Sequence, residues 1–483
     1  MRWLILTAFL LSLPVAPAAA AISANPLGVA WSPVYGFPPA KAETFMPQAR
    51  ALGASFSRLT LYWSQIEPAQ GVHRWDELDA YLAQLRSPEE AILTIAGASP
   101  WATRTKAWVF PSSPATDAGR YAAFVGEVVR HAKGRIRYFQ AENEPNNAFF
   151  WAGSADDYAA RQRLFYQSVK AADPKAKVIL GGSDGLFDPS DADPFPGQDK
   201  DMAFVGQVLR AVGKSYDLFD LHLYGNPYTI PARVAAVRQM MRAAGIERPI
   251  IAAESSGPSF FEFKANRRWA GMLQGPAAGP QSVKALRTHA DLPVETRMFL
   301  NPDDAAATRQ LLRLQSEDLV ARTLIALASG IERTAFFQLA RDPGEADAPN
   351  IVLYGSMALL GLPAADGTRP RLPLAERYQR LSASLHGTRG VTRLTQPGTP
   401  DLYVFRISRR GRSALTIAWR RPAMPGQAAS PVAVTLPRSG HAALRAMTIE
   451  GDPAEARIDT AGIHLMVSDM PILIDADPDL SRR

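Results

Sequence analysis

The chain has no cysteine. No disulfide can brace it and no thiol can act as a nucleophile, so stability must come from buried apolar surface. Histidine is scarce, with seven in 483 residues, and neither His-x-His nor His-Glu-x-x-His spacing occurs. No zinc signature is left, and no metal or other cofactor is expected. Lys and Arg outnumber Asp and Glu by 53 to 46, but the basic residues are spread along the chain. A nucleic-acid interface is therefore not expected. The surplus suits either a soluble basic surface or a weak preference for an anionic polymer. No P-loop occurs, and no Ser-His-Asp arrangement on a Gly-x-Ser-x-Gly elbow is read from the chain, so esterase chemistry is disfavoured.

Long apolar runs are also missing, except at the start. Arg2 precedes the apolar run Trp3 to Leu13, Pro14 and Pro17 break it, and Ala18 to Ala21 supply small residues. This is the pattern of a cleaved export signal, residues 1–21, too short to span a bilayer. No Cys follows to carry a lipid. The mature protein is expected outside the cytoplasm, secreted or periplasmic, without stable membrane insertion.

What is present is an alternation of strand and helix patterns. Strand candidates fall at about 27–34, 55–62, 90–97, 136–141, 177–182, 216–224, 248–254 and 332–338. Helical patterns lie at about 41–52, 76–86, 117–133, 155–172, 200–213, 231–244, 305–329 and 374–386. Eight strand–helix units predict a parallel (β/α)8 barrel over residues 22–389. A doubly wound sheet is the rival, but no glycine-rich phosphate loop follows the first strand. In the 305–329 stretch, Leu311, Leu314, Leu319 and Leu324 fall near one face with charges between, and Gly330 is placed to end the helix. The segment 258–304 is long and irregular and should lie over the same face as an active site. From about residue 390 the pattern becomes short alternating runs, LYVFRIS, SALTIAW and IHLMV among them. These predict a C-terminal antiparallel β-sandwich, residues 390–483.

The densest polar cluster is at 136–147, IRYFQAENEPNN. A strand rich in β-formers ends in Glu142, Asn143, Glu144, Pro145, Asn146 and Asn147. A packed core has no use for these groups, whereas strand–helix barrels carry their chemistry at the C-terminal ends of the strands. A second carboxylate, Glu254, ends the strand candidate RPIIAAESSG. Two carboxylates across a barrel mouth can lie ~5–5.5 Å apart, which suits hydrolysis with retention. In DLHLYG, His222 and Tyr224 share parity, so both can face the barrel interior.

The strand ending in Asn-Glu-Pro resembles the fourth barrel strand of clan A glycoside hydrolases, with family 39-like features. The resemblance covers about residues 25–390 well, and the β domain by position. It implies Glu144 as general acid/base, Asn143 as its partner on the sugar, and Glu254 on strand seven as nucleophile. The stretch beginning RLTLYWSQIEP resembles the clan's second strand, which implies that Arg58 supports the nucleophile. Glu67, Pro68, Gly71, Trp75 and Asp79 match a structural turn. Trp63 is either a sugar platform or core. The resemblance further implies that Trp101 lies near the reacting sugar, and that His222 and Tyr224 bind sugar and orient the nucleophile. The sequence departs from the clan at Glu142, where Trp or Gly is usual, and at Phe336, Phe337 and Gln338, where Trp is usual. Glu142 is expected either in a buried salt bridge or on a polar sugar group. Lys264, Arg267, Arg268 and Arg297 lie in or near the 258–304 segment and suit either an acidic glycan or solvent.

The expected activity is retaining hydrolysis of O-glycosidic bonds in a poly- or oligosaccharide. The alternatives are a transglycosylase on the same barrel and a non-catalytic polysaccharide-binding or assembly protein. The last would not need both carboxylates. Exported protein is expected to begin near Ala20 to Ile22; N-terminal sequencing that finds Met1 would indicate a retained anchor instead.

Overall fold

The computed structural model describes residues 23–31, 44–186, 198–274, 278–301, 303–341, 349–366, 368–394, 398–423, 428–436 and 444–475. The expected signal lies outside the described residues, as do positions 32–34 of the first strand candidate and 41–43 of the first helix candidate.

Eight strands close into a barrel: β1 Leu27–Trp31, β2 Phe56–Tyr62, β3 Glu90–Ala96, β4 Tyr138–Ala141, β5 Lys177–Ser183, β6 Leu218–Leu221, β7 Ile250–Ser255 and β8 Ile331–Phe337. They pair in sequence order, all parallel, and β8 returns to β1. The closure rules out the doubly wound sheet. Helices Phe45–Ala51, Asp76–Gln84, Ala118–His131, Ala155–Ala172, Gln198–Val212, Ile230–Ala243, Ala305–Ala328 and Pro373–Leu385 complete the eight units. Their starts are chemically marked. Asp117 accepts from Gly119 and Arg120 N–H, Ser154 and Asp157 form a capping box, and Asp304 accepts from Ala306 and Ala307 N–H. Each cap satisfies amides that the first turn leaves open. Among the described residues no helix is long and apolar enough to cross a membrane.

The period of two along the strands builds the barrel interior in layers. Phe56, Ile92, Tyr138, Ile179, Leu218 and Ile251 belong to one apolar cluster inside. Two residues further along the same strands come Arg58, Thr94, Gln140 and Asp220, all buried. The polar layer thus rests on an apolar floor and faces the strands' C-terminal ends. β6 is shorter than its sequence candidate at both ends, whereas β4 starts two residues later than its candidate and ends with it at Ala141. Beyond Ala141 the backbone turns left-handed at Glu142, and beyond Leu221 the carbonyls leave the strand ladder for arginine side chains.

The long helix Ala305–Ala328 packs against β8 and against helices Ile230–Ala243 and Pro373–Leu385. Its leucine stripe is divided: Leu311 and Leu314 join the core of the 258–304 segment, while Leu319 and Leu324 join the main core. Most of the charges between do not face water: Glu317, Asp318 and Arg322 are buried, while Arg313 is partly exposed. The 258–304 segment is less irregular than its sequence suggests. Helices Lys264–Arg267, Ala270–Leu273, Pro280–Arg287 and Val294–Leu300 gather around Phe260, Val283, Leu286, Phe299 and Leu300. Helices of four to eight residues are too short to display a period.

The C-terminal strands are β9 Thr388–Leu394, β10 Leu402–Arg409, β11 Leu415–Arg420, β12 Val432–Leu436, β13 Arg445–Thr448, β14 Ala456–Ile458, β15 Ile463–Val467 and β16 Ile472–Asp475. They form one five-stranded sheet, β13-β16-β11-β10-β9, and one three-stranded sheet, β12-β15-β14, both antiparallel. Leu402 and Val404 face the smaller sheet, whereas Tyr403, Phe405 and Ile407 join the main core with the barrel. β10 is therefore buried on both sides, and its alternation separates two cores instead of core from water. Phe405 is 1% exposed and stacks on Trp419 at 5.3 Å. Phe405→Ala is expected to cost about 3–5 kcal/mol of stability. Met466→Ala, at a position 55% exposed, should stay within about 0.5 kcal/mol. Urea denaturation of both variants checks the contrast.

Candidate active site

The backbone after β4 enters the left-handed region twice. Glu142 has φ +66° and Glu144 has φ +40°, flanking Asn143. Each costs a non-glycine residue on the order of 1–3 kcal/mol, so surrounding contacts must hold it. At Glu142 the contacts are the Gly97 N–H at 3.0 Å and the Arg161 guanidinium. Alternation would have aimed Glu142 into the barrel beside Gln140, and the left-handed turn aims it at Arg161 instead. The residue is 1% exposed. Of the two settings expected for Glu142, the structure shows the buried salt bridge, with Arg161.

Glu144 and Glu254, from the ends of β4 and β7, face each other. Together with His222 they present atoms that all lie within 4.8 Å of one another. Arg58, on β2, is the common partner of three residues on or just beyond β4 and β7. It donates to Glu254 Oε2 at 2.6 Å, to Asn143 Oδ1 at 2.6 Å and to Gln140 Oε1 at 2.9 Å. The Tyr224 hydroxyl donates to Glu254 Oε1 at 2.5 Å. His222 meets Glu144 Oε1 through Nδ1 at 2.7 Å and Asp220 Oδ2 through Nε2 at 3.2 Å. Gln140 Nε2 donates to Asp220 Oδ2 at 2.6 Å, which closes the network behind both glutamates. Close packing fixes the ring: a Cβ added at Gly182 would lie 2.0 Å from His222 Nε2.

Burial raises the proton affinity of Glu144, and the negative charges of Asp184 and Glu254 add to it, so that its pKa reaches about 8 against the pull of His222. Glu144 is thus a neutral proton donor at pH 7. Burial alone would lower the pKa of His222. The charges of Glu254 and Asp220, with the hydrogen bonds to Asp220 and Glu144, outweigh it and hold the ring well above its ordinary value. As an imidazolium, His222 donates from both nitrogens and has no lone pair for a cation. Glu144, His222 and Glu254 are the one group of three potential metal ligands found among the described residues, and this protonation leaves them poorly suited to that role.

Of the residues expected at the site, Arg58, Asn143, Glu144, His222, Tyr224 and Glu254 come together. Trp101 does not join them through any hydrogen bond; its indole N–H donates to Glu67 O at 2.9 Å and its ring packs edge-on against Trp63. Trp63 itself is fully buried, which settles it as core. Trp75 stacks between His73 and His131, and Asp79 bonds His131, as befits a structural turn. Lys264, Arg268 and Arg297 line one surface cavity of about 670 Å³ with Asp291, while Arg267 donates to Phe261 O.

Three residues were missed. Asp220 and Gln140 follow from the parity that picks out His222 and from their place on the strands. Asp184, half-buried at the end of β5, is an acidic residue at a strand's C-terminal end, and that position was the available signal. It belongs to Gly181-Gly182-Ser183-Asp184-Gly185, which does spell Gly-x-Ser-x-Gly. The absence read from the sequence is therefore corrected at the level of spelling. Esterase chemistry is still disfavoured, because both nitrogens of His222 are bonded to carboxylates and, among the described residues, no histidine is bonded to the Ser183 hydroxyl. Tyr354, from the segment after β8, has its pKa raised first by the partial desolvation of its hydroxyl and then by the charges of Glu144, Asp184 and Glu254.

No family model matches the chain, and no curated protein matches it. Solved structures do. A family 39 glycoside hydrolase from Bacteroides cellulosilyticus is similar with a TM-score of 0.60 at 16% identity, over 94% of this chain and 82% of that one. A family 51 α-L-arabinofuranosidase from Bifidobacterium longum gives 0.59 at 12%, over 95% and 97%. A family 39 β-xylosidase from Caulobacter crescentus gives 0.54 at 16%, over 96% and 98%. The family 39-like resemblance expected from the sequence is thus present among the solved structures, and at these identities it speaks for the fold.

The raised proton affinity of Glu144 has a consequence for stability. The folded chain keeps this proton up to about pH 8, while an unfolded Glu releases it near 4.3. The folded state therefore binds more protons between these values, and stability falls as pH rises. Glu144→Gln removes this dependence, so the variant should gain stability relative to the parent between pH 5 and pH 8. Urea denaturation at both pH values measures the difference, and an unchanged difference would refute the raised affinity.

Proposed function

We propose that the protein is a retaining glycoside hydrolase that cleaves O-glycosidic bonds of a poly- or oligosaccharide outside the cytoplasm. The observation that carries this reading is the pair Glu144 and Glu254. Their oxygens lie within 4.8 Å of each other, one carboxyl holds its proton, and the other receives hydrogen bonds from Arg58 and Tyr224. The short separation favours retention, since inversion needs room for a water, about 6.5–9.5 Å.

In the first step Glu254 attacks the anomeric carbon, and Glu144 gives its proton to the departing glycosidic oxygen. Arg58 and Tyr224 hold the Glu254 carboxylate in line, and Asn143, fixed by Arg58, offers its amide to the sugar. In the second step the ionised Glu144 takes a proton from water, whose oxygen attacks the anomeric carbon and releases Glu254. The chain's own carboxylates and hydrogen bonds carry the charge that develops. An acceptor sugar in place of that water would make the protein a transglycosylase, and no observation favours it. The pentose-acting neighbours make aryl xylosides and arabinofuranosides the first substrates to try, and the export pattern in the sequence supports the location.

Glu254→Ala should abolish glycosyl-enzyme formation, and azide should then yield a product of inverted configuration. Glu144→Ala should retain much of the first step on dinitrophenyl glycosides, accumulate intermediate, and be rescued by azide with retention. The parent's rate should fall as pH rises through about 8, when Glu144 loses its proton. A 2-fluoro glycoside of the correct sugar should label Glu254; labelling elsewhere, or a parent product of inverted configuration, would overturn the assignment.

A further inference from the structure

We infer that Arg233 and Arg322 are positioning residues, which clamp the backbone of residues 222–225 so that His222 and Tyr224 meet the two glutamates. The inference rests on the reading of that pair.

β6 ends at Leu221, but the chain continues extended. The His222 and Leu223 N–H groups still donate to the neighbouring strands, to Ser183 O at 3.1 Å and Glu254 O at 3.0 Å. The carbonyls do otherwise. His222 O and Tyr224 O accept from Arg233, at 3.0 and 2.6 Å. Leu223 O and Gly225 O accept from Arg322, at 3.0 and 2.8 Å. Successive carbonyls of an extended chain point to opposite sides. Four consecutive carbonyls therefore need two donors from two directions, and helices Ile230–Ala243 and Ala305–Ala328 supply one each.

Both guanidinium groups are buried, 4% and 3% exposed. Arg322 is itself held by Asp318 one helical turn earlier, through contacts of 2.8 and 2.5 Å. It also lies against the loop that follows Glu254, where a Cβ on Gly257 would be 2.2 Å from its terminal nitrogen. Only a glycine lets that loop pass. The planar fork of arginine spans two carbonyls, whereas lysine presents a single point of charge. His222, fixed this way, faces Asp220 on its own strand, Glu144 from β4 and Glu254 from β7.

The test is a double-mutant cycle. Arg322→Lys should lower kcat on an activated aryl glycoside by about 10- to 100-fold, the scale of a small misplacement, with KM little changed. Loosening Tyr224 weakens its bond to the Glu254 carboxylate, so the acid limb of the pH–rate profile should move to higher pH. In a Tyr224→Phe background the same change should cost less than about twofold more, because the two act through one contact. Additive losses would overturn the proposal, as would a lower kcat with an unmoved acid limb.

A second readout needs no substrate. The His222 ring, assigned among seven histidines by comparison with His222→Gln, should change its titration midpoint by NMR in Arg233→Lys. Arg238→Lys, a change on the same helix, should leave it in place. An unmoved His222 midpoint in folded Arg233→Lys sinks the clamp whatever the activity. A parent that cleaves no glycoside while His222 responds sinks the function and keeps the clamp. Should either lysine variant unfold, Asp318→Asn loosens Arg322 without touching residues 222–225, and a milder move of the same acid limb is expected; no move would overturn the role of Arg322.

Discussion

A guanidinium buried inside a barrel is the constraint on which the site depends. Arg58 is 2% exposed and cannot shed its charge, so its donors must be met by protein. They are met by Glu254, Asn143 and Gln140, which sit on β7, just beyond β4 and on β4. One side chain from β2 thereby fixes the ionised carboxylate, the amide beside the proton donor and the first link of the chain behind them. Gln140 passes the constraint to Asp220, Asp220 to His222, and His222 to Glu144. The charge on one glutamate and the proton on the other belong to a single hydrogen-bonded circuit. That circuit tolerates the three carboxyl groups of Glu254, Asp220 and Glu144 in a small volume because Arg58 and the His222 imidazolium offset the charge they carry.

The fold was legible because the barrel strands are largely apolar on both faces, the layer of Arg58, Thr94, Gln140 and Asp220 excepted, and their helices are long enough to show a period. The two glutamates were legible because each ends a strand in a run that a core would not contain. Other features were hidden for physical reasons. The outward turn of Glu142 depends on a left-handed backbone and on Arg161, nineteen positions away on a helix. The indole of Trp101 bonds a carbonyl in the turn after β2, a partner that no local pattern announces. Asp220 and Gln140 obey the same alternation that identifies His222, but they lie inside their strands and not at the polar ends.

The long helix Ala305–Ala328 shows why charge patterning misleads in a covered element. Its polar residues look like a solvated face, yet the helix lies between barrel, 258–304 segment and β strands. Each buried ionisable group then needs a specific partner, and the partners reveal what the helix does. Glu317 accepts from the Tyr228 hydroxyl at 2.9 Å, and Tyr228 accepts from Trp419 of β11 at 2.8 Å. Asp318 holds Arg322, which holds the backbone on either side of Tyr224. Two adjacent acids on one helix thus face in different directions, one toward the C-terminal sheet and one toward the strand that carries His222 and Tyr224. Burial also raises the pKa of Glu317 to about 8, so this link to the β domain is made by a carboxyl that stays neutral at pH 7. Among the described residues the C-terminal sheet contributes no side chain to the glutamate circuit, but through Trp419 and Tyr228 it bears on the helix whose Arg322 shapes that circuit. Its double-sided β10 is therefore a structural support for the site as well as half of a sandwich.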